Sequence, residues 1–122
     1  MSAVAMLATS ALYRLGQAML GRRDDEAFRL ASRLALAGNR KAMTILGTMY
    51  LLGRGCQADA VEGAAWLTQA TGGCLEGEAA ELLAIWQPQL SQDQQAAIHA
   101  RRCDLLLKIQ SRHFAILSVG VP

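Results

Sequence analysis

Apolar and polar positions follow the spacing of amphipathic helices through most of the chain, and two stretches share the same order of residues. Residues 11–21 read ALYRLGQAMLG, and residues 42–55 read AMTILGTMYLLGRG. When Leu15-Gly16 is placed on Leu46-Gly47, the two stretches stand 31 residues apart. Self-similarity at this distance is typical of stacked helical hairpins.

A second helical pattern follows each copy, DDEAFRLASRLALA over residues 24–37 and DAVEGAAWLTQAT over residues 59–71. A weaker third copy begins at Ala79, where Leu83-Ala84 replaces Leu-Gly. We therefore expect one domain over residues 1–122. Its predicted helix-turn-helix units and C-terminal tail are residues 5–38, 39–74, 75–111 and 112–122.

Residues that begin and end helices stand between these segments. Asp24 and Asp59 occupy the N-cap positions of the second helices, where a carboxylate accepts hydrogen bonds from free backbone N–H groups. Gly38 and Gly72 follow those helices, where the chain often needs a positive φ angle. These signals support the division into hairpins.

The C-terminal part is predicted to contain a sixth helix and a tail. Pro88 ends the fifth helix, and Ser91 caps a sixth that we expect to run to about Ser111. The last segment is apolar and lacks helix formers after Leu117. We expect it to dock on the body of the domain or to contact a partner.

The composition agrees with a helical domain. The 122 residues are 52% apolar, 18% charged and 5% aromatic, which excludes a disordered chain. Abundant Ala and Leu and only two Pro residues favour helix. The predicted fold class is all-α, a short α-solenoid of about three helix-turn-helix hairpins with capping helices.

The N-terminal stretch Met1–Tyr13 is uncharged but shorter than the about 20 residues that a membrane-spanning helix needs. No Lys or Arg precedes it, unlike in a secretion signal. We interpret it as the first folded helix of a cytoplasmic protein without a membrane span. A secretion signal, and with it a periplasmic location, is the alternative.

Cysteine usage does not predict a disulfide framework or a metal site. Cys56, Cys74 and Cys103 are odd in number, and the chain has no CxxC motif. We expect buried, unreactive thiols, no metal and no cofactor. His99 and Cys103 stand one helical turn apart, a spacing that a nucleophile and its base can share. Because no orienting residue or oxyanion-hole motif accompanies them, we do not expect an enzyme.

Charge is segregated along the chain. Residues 1–54 carry a net charge of +5, residues 55–98 carry −6 and residues 99–122 carry +3. Such a distribution can steer a charged partner, or the ends can simply compensate the middle. Nucleic acid is not an expected partner, because aromatic residues for stacking are few and the acidic middle repels phosphate.

The middle copy carries a longer motif than helical periodicity requires. Its residues are Ala42, Leu46, Gly47, Tyr50, Gly53, Gly55, Cys56, Asp59, Trp66 and Ala70. This motif resembles the Sel1-like repeat, a relative of the tetratricopeptide repeat. In the first copy Met19 replaces the Tyr and Leu30 the Trp, and the third keeps Ala79 and Leu83 without the Gly or the Tyr.

The resemblance implies a short α-solenoid that binds another protein. Family members are commonly adaptors, and some bacterial members accompany secretion systems or neutralise toxic effectors as immunity proteins. We therefore expect a small non-catalytic adaptor for one protein partner. The alternative is a bacterial immunity protein or a secretion-associated chaperone that holds a cognate effector. A homodimer sealed by the end helices and the apolar tail is also left open.

The aligned copies also assign a predicted repeat core. Its residues are Leu15, Gly16, Leu46, Gly47, Tyr50, Gly53, Gly55, Trp66, Ala70 and Leu83. Within it, Gly16 and Gly47 are expected to let neighbouring helix axes approach closely. Gly63 stands where the repeat prefers Ala, at a cost of about 1 kcal/mol in helix propensity.

The same alignment predicts a partner-binding stripe on the first helix of each unit. Its residues lie two before and two after the aligned Leu: Tyr13, Gln17, Thr44, Thr48, Glu81 and Ile85. We expect this predicted stripe to line the concave face of the solenoid. Because it is uncharged apart from Glu81, it suits an amphipathic helix or an extended peptide.

Overall fold

A computed structural model describes residues 14–72 and 77–119, with side chains described as far as residue 111. These residues are largely helical and contain no β-strand, which confirms the all-α prediction. In chain order the helices are α1 (residues 14–20), α2 (Asp24–Leu36), α3 (Arg40–Leu52), α4 (Ala60–Thr71), α5 (Glu78–Trp86), a 3-10 turn (Gln87–Gln89) and α6 (Gln92–Val119). The solenoid arrangement and its unit boundaries stay predictions, and the stretch Met1–Tyr13 lies outside the described residues.

Two of the predicted N-caps begin helices by hydrogen bonding. The Asp59 carboxylate accepts a hydrogen bond of 3.1 Å from the Glu62 N–H at the start of α4. At α6 the Ser91 hydroxyl accepts from the Gln94 N–H at 3.2 Å, while the Gln94 side-chain oxygen accepts from the Ser91 N–H at 2.9 Å. This reciprocal pair is a capping box. The predicted caps Asp59 and Ser91 are confirmed.

The predicted N-cap Asp24 is wrong. Asp24 is already the first residue of α2, and the N-cap is Arg23, whose side chain makes no capping bond. The Asp24 carboxylate instead accepts a hydrogen bond of 2.9 Å from the Arg54 guanidinium, in the turn between α3 and α4. A carboxylate one residue inside the helix still interacts favourably with the positive helix N-terminus. At this position it also joins α2 to the turn between α3 and α4.

The predicted stop signals lie where the helices end. Gly72 closes α4 in the left-handed conformation with a φ angle of 57°. Gly53, predicted only as part of the repeat core, closes α3 in the same way with a φ angle of 70°. Gly38 follows α2 with a φ of 94°. α5 ends at Trp86, and Pro88 lies in the following 3-10 turn. These predictions are confirmed.

α6 is longer than predicted. It continues past Ser111 to Val119, so the expected change from helix to tail at residue 112 is wrong. The reason is that no Pro or Gly interrupts the sequence between Ser91 and Gly120, so nothing stops the helix. Residues 120–122 lie outside the described part of the chain.

Two glycines face each other where α3 packs against α4. A Cβ atom on Gly47 would lie 2.8 Å from the Gly63 carbonyl oxygen, and a Cβ on Gly63 would lie 2.8 Å from the Gly47 carbonyl oxygen. Neither position has room for a methyl group without a shift of the backbone. Gly63 therefore lowers the helix propensity of α4, but it allows the axes of α3 and α4 to approach closely.

α4 is the central helix of the domain. It packs against α3, α5 and α6, while α2 packs against α3 and also contacts α6. Residues 63–67 of α4 are all buried, as expected of a helix surrounded by others. α6 turns Ile98, Leu105 and Ile109 towards the core, with Leu107 exposed on another side.

The structure places most of the predicted repeat core inside the protein. Its buried members are Leu15, Leu46, Gly47, Trp66 and Ala70, and its half-buried members are Tyr50, Gly53, Gly55 and Leu83. Gly16 is the exception: it is exposed, and a Cβ atom there would meet nothing within 4 Å. The expected close approach at Gly16 is wrong for the described part of the chain, where no helix crosses α1 at that point.

Candidate functional site

The described residues of the predicted stripe lie on three helices, α1, α3 and α5. Gln17 on α1 and Glu81 on α5 are exposed, and Ile85 is 61% exposed. The hydroxyls of Thr44 and Thr48 on α3 are occupied within their own helix, where each donates to the carbonyl oxygen four residues earlier.

α3 and α5 both pack on α4 rather than mainly on each other. The predicted stripe therefore stays a prediction, and Tyr13 lies outside the described residues.

A groove between α1 and α2 gathers guanidinium groups. A cavity of about 180 Å³ is lined by Arg14 of α1 and by Glu26, Arg29, Leu30 and Arg33 of α2. We call this surface the arginine groove. Arg29 and Arg33 are four residues apart, so both project from one face of the helix.

The one acidic residue among the described lining residues of the arginine groove is Glu26, so positive charge predominates there. The Glu26 carboxylate lies 3.3 Å from the guanidinium of Arg23, which does not line the groove. Arg14, Arg29 and Arg33 form no ion pair with another described residue, and all three are exposed. The groove therefore presents three free positive charges to solvent.

Other arginines have structural partners instead. The Arg101 guanidinium of α6 donates two hydrogen bonds to the Glu62 carboxylate of α4, at 2.7 and 3.0 Å. This bidentate pair raises the pKa of Arg101 above its usual value, with hydrogen bonding to Glu62 as the main cause. Arg54 is held by Asp24. The Arg40 guanidinium lies over the backbone of Gly72 at the C-terminus of α4, where the helix dipole favours a cation.

Tyr50 joins α3 to α2 and does not form part of an exposed recognition surface. Its ring meets Phe28 edge-on, with ring centres 5.4 Å apart and planes at 80°. Burial, followed by the negative charge of Glu62, raises the pKa of the Tyr50 hydroxyl. Tyr50 therefore remains neutral at physiological pH and acts as a packing residue.

The cysteines and histidines do not assemble into a nucleophilic site among the described residues. Burial, followed by the charge of Asp59, raises the pKa of the Cys56 thiol, which lies 3.7 Å from the Met49 carbonyl oxygen. A raised pKa keeps the thiol protonated and unreactive. Cys103 is exposed on α6, so the expectation of a buried thiol is wrong there, and Cys74 lies outside the described residues.

Metal-binding clusters and membrane-spanning helices are both absent from the described residues. No group of three His, Cys, Asp or Glu side chains in residues 14–72 and 77–111 is arranged to hold a metal ion. None of the described helices is both long enough and apolar enough to cross a bilayer.

Comparison with known proteins gives no relative. The chain matches no family model, no curated protein and no solved structure.

The arginine groove was not predicted from the sequence. The charge count located the positive segment, but it did not show that α1 and α2 would bring Arg14 beside Arg29 and Arg33. The available signal was the spacing of Arg29 and Arg33, which are four residues apart on the polar face of a helix whose buried face is Ala27, Leu30, Ala31, Leu34 and Ala35.

Proposed function

We propose that the protein is a non-catalytic protein-binding module that receives an acidic segment of its partner in the arginine groove. The observation that carries this proposal is the convergence of three unpaired guanidinium groups on one cavity of about 180 Å³. Guanidinium groups pair with carboxylates in a planar, two-bond geometry. A partner segment with two or three Asp or Glu residues complements the groove.

The geometry of the groove favours a protein partner over a nucleic acid. Binding of single-stranded nucleic acid combines positive charge with aromatic side chains on which the bases stack. Among the described residues that line the groove, none is aromatic, and Leu30 supplies its apolar surface. The aromatic Phe28 of the same helix is directed to Tyr50 instead.

The Sel1-like resemblance gives the wider role that we propose, an adaptor for one protein partner. Features of the middle copy support this part of the proposal: Asp59 caps α4, Gly53 turns the chain after α3, and Trp66 is buried. The arginine groove lies outside that copy. The proposed recognition of an acidic segment therefore depends on the arginines and not on the resemblance.

The proposal is tested by fluorescence anisotropy with a labelled peptide of alternating Glu and Ala, beside a peptide of alternating Gln and Ala. We expect the acidic peptide alone to bind, and its affinity to fall as salt is raised. The variant Arg29→Glu/Arg33→Glu should bind it about ten-fold or more weakly, because two attractive charges become repulsive. The control Lys41→Glu/Lys108→Glu makes the same change in net charge at exposed positions outside the groove.

Two results contradict the proposal. Equal weakening in both double variants would show that only net charge matters. Tighter binding of a single-stranded oligonucleotide than of the acidic peptide would assign the groove to nucleic acid. Circular dichroism of the variants confirms that their helical content is that of the wild type.

A further inference from the structure

A second polar pocket lies among α4, α5 and α6. Thr68 of α4 and Leu83 of α5 form two of its walls, and α6 contributes Gln95, His99 and Arg102. Its volume is about 140 Å³. It shares no lining residue with the arginine groove.

Arg102 gives this pocket an unusual feature. Its Nε atom is buried and has no hydrogen-bond partner among the described residues. Nearly all buried polar atoms in folded proteins have a partner, and a charged donor without one is especially unfavourable. The neighbouring Arg101 differs, because its guanidinium is fully engaged with Glu62.

The remaining polar groups narrow the kind of ligand that the pocket accepts. The Thr68 hydroxyl proton is already donated to the Ala64 carbonyl oxygen, and the Gln95 amide donates to the Leu90 carbonyl oxygen. Among the described lining residues none is acidic, so Arg102 has no internal counterion there. The Gln87 amide of the 3-10 turn also lines the pocket as a neutral donor, while Arg102 supplies its positive charge and the His99 ring a further donor.

We propose that this pocket binds a carboxylate group, with Arg102 as its principal donor and His99 as the second. A carboxylate accepts two charge-assisted N–H bonds from the Nη groups of a guanidinium. The Nε atom of Arg102 is buried, so the Nη groups are the ones that meet the ligand. The carboxylate belongs either to a small free acid or to the C-terminus of a peptide. The two sources share this chemistry and differ in the neighbouring amide group.

The experiment follows the Arg102 Nε–H signal by ¹H–¹⁵N NMR, with its assignment taken from its loss in Arg102→Lys. The protein is titrated with acetate, with N-acetylglycine as a mimic of a peptide C-terminus, and with N-acetylglycinamide as the neutral control. Chloride keeps the ionic strength constant. We expect a saturable shift with both acids and none with the amide. Tighter binding of N-acetylglycine than of acetate assigns the pocket to a peptide C-terminus, and the reverse assigns it to a free acid.

The variants separate this site from general electrostatics and from the arginine groove. In Arg102→Lys, with the His99 ring protons as reporter, acetate should bind about ten-fold more weakly (about 1.4 kcal/mol). The variant His99→Ala changes an exposed residue and keeps Arg102, so it should weaken acetate binding by a smaller factor. Arg29→Glu/Arg33→Glu should leave the acetate response unchanged, so failure of the groove proposal does not affect this one.

Three outcomes would overturn the carboxylate site. The first is a shift that does not saturate, or that N-acetylglycinamide also produces. The second is unchanged acetate binding in Arg102→Lys. The third is tighter binding of inorganic phosphate than of acetate, which would assign the pocket to a phosphate group, since guanidinium groups also bind phosphate through two bonds.

Discussion

Gly47 and Gly16 occupy the same place in two aligned copies of the sequence, yet their surroundings are opposite. Gly47 lies at the crossing of α3 and α4, with the Gly63 carbonyl oxygen 2.8 Å from where its Cβ would be. Gly16 is exposed, and its Cβ would meet nothing within 4 Å. A small residue permits a close approach, but a helix must cross at that position before the space is used.

The first prediction sharpens this comparison by adding the same methyl group to both sites. Gly47→Ala should lower the free energy of unfolding by about 3 kcal/mol, because the methyl meets both the Gly63 carbonyl and the Leu67 side chain. Gly16→Ala should raise it by about 0.5–1 kcal/mol, since only helix propensity changes. Urea unfolding followed by circular dichroism measures both.

The sign of the two effects is the test. If Gly47→Ala also stabilised the protein, the α3–α4 crossing would have space for a methyl group, and the comparison would be contradicted. Gly63→Ala serves as a second probe of the same crossing, because its Cβ would meet the Gly47 carbonyl oxygen and Leu51. It should destabilise by a similar amount.

A second contrast concerns two ion pairs that connect helices. In the Arg101–Glu62 pair, which joins α6 to α4, the side chains are 31% and 15% exposed. In the Arg54–Asp24 pair, which joins the α3–α4 turn to α2, both are 35% exposed. The more buried and bidentate pair leaves a costlier charge behind when it is broken.

We predict that Arg101→Met lowers the free energy of unfolding by about 2 kcal/mol, because it strands the Glu62 carboxylate. Arg54→Met should cost about 0.5 kcal/mol, as for an exposed pair. Adding Glu62→Met to Arg101→Met should recover part of the loss. Equal costs for the two single variants would contradict the comparison, and chemical denaturation at matched salt decides between them.

The elements of the fold that were predictable are those set by local chemistry. The caps Asp59 and Ser91 and the stops Gly38 and Gly72 act within one helical turn of their own position, so the sequence alone identifies them. The length of α6 was missed because a weak helix former does not end a helix. A stop signal is needed, and none occurs before Gly120.

The candidate sites depend on contacts between helices, which the sequence pattern does not contain. The arginine groove needs α1 to lie beside α2, and the pocket around Arg102 needs α4, α5 and α6 to meet. The Asp24 prediction failed for the same reason. Its carboxylate accepts a hydrogen bond from Arg54, which is 30 residues away, and does not cap the helix terminus beside it.

The smallest predicted effect concerns the Tyr50 hydroxyl and the way in which it makes the free energy of unfolding depend on pH. The pKa of Tyr50 is raised above 10.0 in the folded protein, so the unfolded chain loses this proton first as pH rises. The stability that Tyr50 contributes is therefore complete below pH 10.0 and declines as pH rises through the folded pKa. Tyr50→Phe keeps the ring against Phe28 and removes the titrating hydroxyl. Urea unfolding at a series of alkaline pH values should show a shallower decline for Tyr50→Phe than for the wild type. Parallel declines would mean that Tyr50 is not the group responsible, and Cys56→Ala then tests the other group whose pKa is raised.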